Sequence, residues 1–287
     1  MRLTRSLAVV ALLLAVDLAA AQAQDGPAVV FARDGSTRPL DARPTERSAV
    51  TFAEVLRAIY PDLDASGRAS RFAGARAAPD AVAGQDSPPG PTEINLSGAE
   101  TASFSVISEG ERDHVAMLVA GVLVMAEVAP EFRATDALLV QTQPAAPPSI
   151  AQMLLLGEGR PAALVLNGRQ DGGESFAQYL IATPIEGQLR QVFQSPVLYS
   201  IESWERGCEP RRLEQRMLPL TLREARRDGY AELAMTVREA RICTQRGRSR
   251  TLNSLVHHGR LRWDPDQARY IGGLDALERR NQSLIGR

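Results

Sequence analysis

From Thr92 onward, apolar and polar residues alternate over most of the chain, and turn residues cut the runs at short, near-regular intervals. Ile94/Leu96 and Phe104/Val106 alternate with polar neighbours. Residues 164–166 and 176–181 flank the turn Asp171-Gly172-Gly173, residues 189–193 follow Glu186-Gly187, and residues 197–204 follow Pro196. Further runs cover 213–222, 230–243 and 252–263, and a last short strand ends at Tyr270-Ile271. The run 115–126 (VAMLVAGVLVMA) is apolar on both faces. Its valines favour a buried strand pair turning near Ala120-Gly121, with a buried helix as the alternative. The pattern predicts a mainly β fold, an antiparallel meander or sandwich-like domain over 92–287. Leu274, Leu277, Leu284 and Ile285 space out a closing helix over 274–285.

Upstream, the period changes. Residues 24–50 scatter Asp, Arg, Pro and Gly without a sustained repeat. Thr51-Phe52-Ala53-Glu54 then reads as a capping box, and Phe52, Val55, Leu56 and Ile59 share one helix face. This predicts one short amphipathic helix over 51–60 within an N-terminal segment, 24–63, ended by Pro61. A helix of this length needs a docking surface to be stable. Residues 64–91 are rich in Ala, Gly, Pro and Ser. They read either as a mobile linker or as an extended strap pinned to the next domain through Phe72.

The first residues carry an address. Arg2 and Arg5 precede a ten-residue apolar core at 7–16 (LAVVALLLAV), and Ala21-Gln22-Ala23 offers an A-x-A cleavage site. A Sec-type signal peptide over 1–23, cleaved near Ala23/Gln24, is expected, with a periplasmic or secreted product. Neither this run nor 115–126 reaches the ~20 residues of a membrane-spanning helix, so the mature chain is not expected to span a membrane.

At 287 residues, 44% hydrophobic and 23% charged, the composition excludes collagen, coiled coil and wholesale disorder. All 33 basic residues are Arg, yet the net charge of −1 provides no overall basic field, and nucleic acid is not an expected partner.

Cys208 and Cys243 are the only cysteines, and a disulfide is expected in an oxidising compartment. Paired residues in an antiparallel hairpin keep a constant sum of their numbers. The cysteines give 451 and a hairpin turning over 224–229 gives 453, which sets them opposite or one step diagonal.

Candidate chemistry is sparse. His114, His257 and His258 are the only histidines, and on a strand the last two point to opposite faces. No metal-ligand motif occurs, so neither a metal nor a cofactor is expected. Ser175, after Gly172-Gly173-Glu174, lacks the second glycine of a nucleophile elbow and enters a strand, leaving a Ser/His/Asp triad unsupported. Residues 226–233 resemble the calcium loop of FG-GAP repeats, but their earlier acidic positions are missing, so only a turn before a strand is expected.

Charge is unevenly spread. Residues 24–200 hold 13 Arg and 21 acidic residues, whereas residues 201–287 hold 18 Arg and 12 acidic. Arg246, Arg248 and Arg250 form a basic loop near Arg238, Arg241, Arg260 and Arg262. Guanidinium forks suit carboxylates and phosphates, which makes this loop a candidate anion-binding element; a solvated face is the plainer reading.

The order of features is an apolar pair, a D-G-G turn, a Cys soon after Trp204, a second Cys, and a closing R-W-D-P then R-Y-I segment. It resembles exported proteobacterial proteins of unknown function, and the resemblance implies no activity. The expected function is an exported cell-envelope protein acting as a non-enzymatic binding or interaction module for another envelope protein or an anionic envelope component. The alternatives are an envelope hydrolase with an unrecognised site, and a structural partner that exposes the apolar face of helix 51–60.

Overall fold

The computed structural model describes residues 28–32, 35–77, 92–96, 102–140, 148–171, 173–205 and 207–285. The expected signal peptide and residues 78–91 of the expected linker lie outside them. The chain begins with β1 (Val29–Ala32), β2 (Thr37–Pro39), α1 (Phe52–Leu56), β3 (Arg68–Ala69), β4 (Arg76–Ala77) and β5 (Ile94–Asn95). Four longer strands follow, β6 (Ala102–Glu109), β7 (Arg112–Val119), β8 (Val122–Ala129) and β9 (Arg133–Leu139). Next come β10 (Ser149–Leu155), β11 (Pro161–Asp171), β12 (Glu174–Ile185), β13 (Gln188–Gln194) and β14 (Leu198–Glu205). The last elements are β15 (Cys208–Met217), β16 (Thr221–Arg227), β17 (Tyr230–Gln245), β18 (Arg248–Asp264), β19 (Arg269–Gly273) and α2 (Asp275–Ile285).

The protein is mainly β, as its alternation predicts. One sheet runs β2-β1-β6-β7-β8-β9-β4. A second runs β10-β11-β12-β14-β15-β17-β18-β19, with β13 added on β12 and β16 on β17, and β3 with β5 makes a third, two-stranded sheet. Pairing is antiparallel except where β1 meets β6 and β4 meets β9. The apolar run 115–126 is the β7–β8 hairpin, turned at Ala120-Gly121, where both φ angles are positive (47° and 81°). Such turns match the right-handed strand twist, and glycine takes the second position without steric cost.

The two faces of β7 and β8 pack against different layers. Val115, Met117, Val122 and Val124 join Phe52, Val55 and Leu56 of α1 in one core. Ala116, Leu118, Leu123 and Met125 join Met153, Val165 and Leu180 of the second sheet in another. At ~1.5–3 kcal/mol for each large apolar side chain removed from water, these two interfaces dominate the stability of the first sheet.

The N-terminal segment is more ordered than its lack of period implies. Residues 29–39 supply β1 and β2, with Val30 opposite Ala102 and fully buried. The capping box at Thr51 and Glu54 is present, but α1 stops at Leu56, four residues short of the expected end. Its continuation tightens into three-residue bonds, Ala58 to Val55 and Ile59 to Leu56, ahead of Pro61. The apolar face of this segment is buried, so it is no docking patch: Phe52, Leu56 and Ile59 are at most 4% exposed. Within the described part of the expected linker, residues 64–77 form the strap. Phe72 packs on Tyr60 at 5.4 Å, β3 pairs β5, and β4 extends the first sheet.

A polar hub fixes this cover. Asp113, 1% exposed, accepts hydrogen bonds from Thr45 Oγ1 (2.7 Å), Ser108 Oγ (2.7 Å) and both Nε and Nη2 of Arg47. Burial pushes the Asp113 carboxyl upward, but the hydrogen bonds from Arg47, Ser108 and Thr45 outweigh it and hold it below the usual carboxylate range.

The second sheet rolls on itself around its own core. The Ala231 N–H donates to the Leu156 carbonyl (2.6 Å), and the Gln152 amide bonds both backbone groups of Leu220 (3.0 and 3.2 Å). Tyr230 stacks on Trp263 at 3.6 Å, and the Arg160 guanidinium carbon lies 3.9 Å from the Tyr230 ring centroid. The backbone passes so close here that a Cβ on Gly157 would sit 1.9 Å from the Gly229 carbonyl oxygen. The closing helix is as expected, and it docks through polar groups as well as Leu277. Asn281 exchanges hydrogen bonds with Gln215 (2.7 and 2.9 Å), which also donates to Glu239, and Arg280 pairs with Glu239 at 2.7 Å.

Gly157→Ala is expected to lose about 1–3 kcal/mol in urea denaturation, because backbone rather than a movable side chain blocks the new methyl. Asp113→Asn is expected to lose about 2 kcal/mol near neutral pH. Since the folded pKa of Asp113 is depressed, its contribution is whole above the unfolded carboxylate value and fades as pH falls through the folded one. The stability gap between wild type and Asp113→Asn should therefore shrink on acidification from pH 6 to below the usual carboxylate range; a gap independent of pH would exclude this role.

Candidate functional site

The structure brings two sequence-level candidates together. Cys208 and Cys243 form the disulfide, with Cα atoms 5.1 Å apart. The hairpin that joins them differs from the expectation. The turn is Asp228-Gly229, between β16 and β17, so the strand runs through 224–227 rather than turning there. The partner strand is broken at Leu218-Pro219-Leu220, so β15 and β16 pair successive stretches of the same edge of β17. Arg211, not Cys208, is opposite Cys243, and Cys208 lies at the start of β15 beside Glu205. The bridge thus links strand ends across the sheet rather than facing positions in one hairpin.

On its other side, Cys243 faces Arg250 of β18. Arg246-Gly247 is the tip turn of the β17–β18 hairpin, with φ angles of 51° and 77°, and Arg248 and Arg250 begin the return strand. Arg246, Arg248 and Arg250 are all exposed, and among the described residues none has an ion-pair partner. The neighbouring arginines do not join them in one cluster. The register puts Arg241, Arg248 and Arg250 on one face and Arg238, Arg260 and Arg262 on the other. Arg262 and Arg260 are engaged there by Glu232, at 3.3 and 3.9 Å.

β18 has a second property that the sequence pattern concealed. It pairs with β17 along 248–261, but with β19 only along 260–264. Among the described residues, no strand covers the outer edge of 248–259. That edge carries Leu252, Leu255 and Val256, which are 42%, 43% and 53% exposed. Leu252 sits at a register shift opposite Arg241 and Ile242, a bulge that bends the edge. An unpaired strand of this length presents a row of backbone donors and acceptors, a template for another strand.

No described protein family, curated protein or solved structure matches this chain. The site is therefore judged by its own chemistry.

The histidines are dispersed. His257 and His258 point to opposite faces of β18, as alternation requires. His257 Nε2 lies 3.8 Å from the buried Glu239 carboxylate, whereas His258 is exposed and meets Thr236 Oγ1 at 3.2 Å. His114 is on β7 of the other sheet and only 5% exposed. Ser175 lies mid-sheet between Gln170 and Ser200 on strands that carry no histidine. Among the described residues, no group of three or more His, Cys, Asp or Glu side chains is placed to hold a metal ion. No helix among them is long and apolar enough to cross a membrane.

Sequence reasoning found the arginines and cysteines but missed the free edge. The signal available was length: β18 outruns β19, and its apolar residues fall at 252, 255 and 256 without a period of two.

Replacing both cysteines by Ser is expected to cost about 3–4 kcal/mol on the chain-entropy argument for this loop. It should also speed hydrogen exchange at 243–250 more than in β7 and β8. Equal acceleration everywhere would mean that the bridge does not specifically hold the hairpin end.

Proposed function

We propose that this protein is an exported, non-enzymatic interaction module of the cell envelope, and that the free edge of β18 receives an extended acidic segment of another envelope protein as an added strand. The observation that carries the reading is the edge of 248–259, which no strand covers among the described residues, with exposed apolar side chains beside three arginines that have no ion-pair partner among those residues. Strand addition takes its affinity from main-chain hydrogen bonds and its selectivity from alternate side chains. Here Leu252, Leu255 and Val256 supply apolar contact, while Arg246, Arg248 and Arg250 select carboxylates. The same arginines disfavour a second copy of this edge in a parallel, in-register pair, since like charges would then face each other.

Two further observations support the reading. The disulfide anchors the end of β17 to β15, and β17 pairs Cys243 with Arg250, so the receiving strand is ordered before it binds and less entropy is lost on docking. Export is supported by the leader pattern at 1–23 and by a disulfide, which persists in oxidising compartments.

The test uses the mature protein and a short alternating Glu–Val peptide. Saturable binding is expected, with amide exchange slowed over 250–258. Substituting Ser for Arg246, Arg248 and Arg250 together should weaken binding about tenfold, the loss of roughly 1.4 kcal/mol of charge pairing at an exposed site. Binding of heparin or phosphatidylglycerol vesicles through the same arginines, without protection of the edge amides, would overturn strand addition in favour of an anionic surface. No binding by any of the three probes would overturn both.

A further inference from the structure

We propose that a cavity at the free edge of β15, where Arg216, Tyr179 and the Met217 N–H converge, is a binding site for a small carboxylic acid with an apolar body.

The cavity has a volume of about 470 Å³, within the ~300–1,000 Å³ of small-molecule pockets. It exists because the second sheet splits. β14 pairs with β15 only as far as Leu213, whereas β17 stays paired with β15 to Met217. The chain beyond Leu213 leaves β14 and crosses to β10, where the Gln152 amide bonds both backbone groups of Leu220. The gap opened on this side is walled by Ile150 of β10, Leu164 and Leu166 of β11, Met217, and Phe104 of the first sheet.

Three donors reach this gap. Arg216 is the one charged side chain on its described walls, and it has no ion-pair partner among the described residues. Tyr179 lines the same space, and no described residue bonds its hydroxyl. Burial raises the Tyr179 pKa and the nearby Arg216 guanidinium opposes the rise, so the hydroxyl keeps its proton at neutral pH. The third donor follows from strand alternation. The Leu218 N–H donates to Thr236 on β17, while the Gln215 N–H turns the other way, to Ser200 Oγ on β14. Alternate residues of a strand share a direction, so the Met217 N–H points away from β17, into the gap that β14 leaves.

The sign of the ligand follows from the charges around Arg216. Arg238 is directly opposite it on β17, so two guanidinium groups share one face of the sheet and repel each other. Arg238 meets Ser254 Oγ through Nε and also has no ion-pair partner among the described residues. The carboxylates of the neighbouring strands do not neutralise the pair. Glu214 is opposite Ala240, a diagonal step from Arg238, and bridges to neither arginine. Glu239 is on the other face with Arg280, Glu202 pairs with Arg212, and Glu174 accepts the Tyr199 hydroxyl. Cations are therefore in excess at this mouth. A carboxylate can accept a forked pair of N–H bonds from Arg216, with the Tyr179 hydroxyl and the Met217 N–H at its remaining lone pairs, while its hydrocarbon lies on Leu164 and Leu166. One cation on the wall matches one negative charge. An ammonium ligand of the same shape would meet Arg216 with no carboxylate on the described walls.

The experiment titrates the mature protein with octanoate, octanol and octylamine, reading the Arg216 Nε–H and Met217 N–H resonances. Octanoate should move both, saturably, and leave the amides of 246–250 in place. Octanol should bind about tenfold more weakly, and octylamine should leave both resonances unmoved. Arg216→Gln, at an exposed position, should weaken octanoate binding about tenfold with the fold intact by circular dichroism. Replacing Arg246, Arg248 and Arg250 together by Ser should leave octanoate binding unchanged, which separates this site from the edge of β18. Octanol or octylamine binding as tightly as octanoate would overturn the proposal, since charge would then select nothing. So would octanoate shifts confined to 246–250, or unmoved Arg216 and Met217 resonances with all three probes.

Discussion

Both faces of the β7–β8 hairpin have to be kept from water, and most of the architecture answers that constraint. A sheet apolar on one side needs a single cover, but Val115 and Ala116, or Val124 and Met125, face opposite ways and are all buried. One cover is therefore assembled from the N-terminal segment, α1 and the strap that ends in β4. The other is the flat half of the second sheet, β10 to β13, which has two buried faces of its own. Its far side is sealed by rolling the remaining strands and α2 over it. Three cores in series result, each sharing a sheet with the next.

Apolar contact alone does not orient such covers, and the polar groups do. Asp113 brings Thr45, Arg47 and Ser108 to one point, so the N-terminal cover has one position in which a buried carboxylate is fully bonded. Gln215, Glu239, Asn281 and Arg280 do the same for α2. Leaving any of these groups unpaired costs more than the bond itself contributes. The hubs thus penalise sliding more than they add stability.

Much of the fold was legible in the sequence because its signals are local. Alternation gave the strands, Ala120-Gly121 gave a hairpin turn, and Thr51 with Glu54 gave the helix start, whereas the basic loop expected over 246–250 is a two-residue turn, Arg246-Gly247, with Arg248 and Arg250 already in β18. What escaped depends on partners distant along the chain. β1 and β2 carry no alternation because β1 enters the sheet in parallel beside β6 and β2 is an exposed edge. The Cys208–Cys243 pair was legible as a disulfide, but its register was not. The interruption at Leu218-Pro219-Leu220 moves the turn to Asp228-Gly229 without changing which cysteines meet. The candidate sites divide in the same way. Arg246, Arg248 and Arg250 are adjacent in sequence and were visible, whereas the open edge beside them depends on how far β19 extends.

The two parallel pairings, Val30 beside Ala102 and Arg76 beside Leu138, impose an order of assembly on a chain made from its N-terminus. β1 can pair with β2 at once but has no sheet to join until β6 has emerged, and the strap cannot close until β9 has followed. The β6–β9 meander, with short turns and neighbouring pairings, is the part that can form first. The N-terminal third then adds to it backwards, after a long loop has been closed. Topologies dominated by such distant contacts fold slowly. In the interval, the apolar face of β7 and β8 that awaits α1 is open to solvent, so the newly made chain is most prone to association before its N-terminal cover is in place.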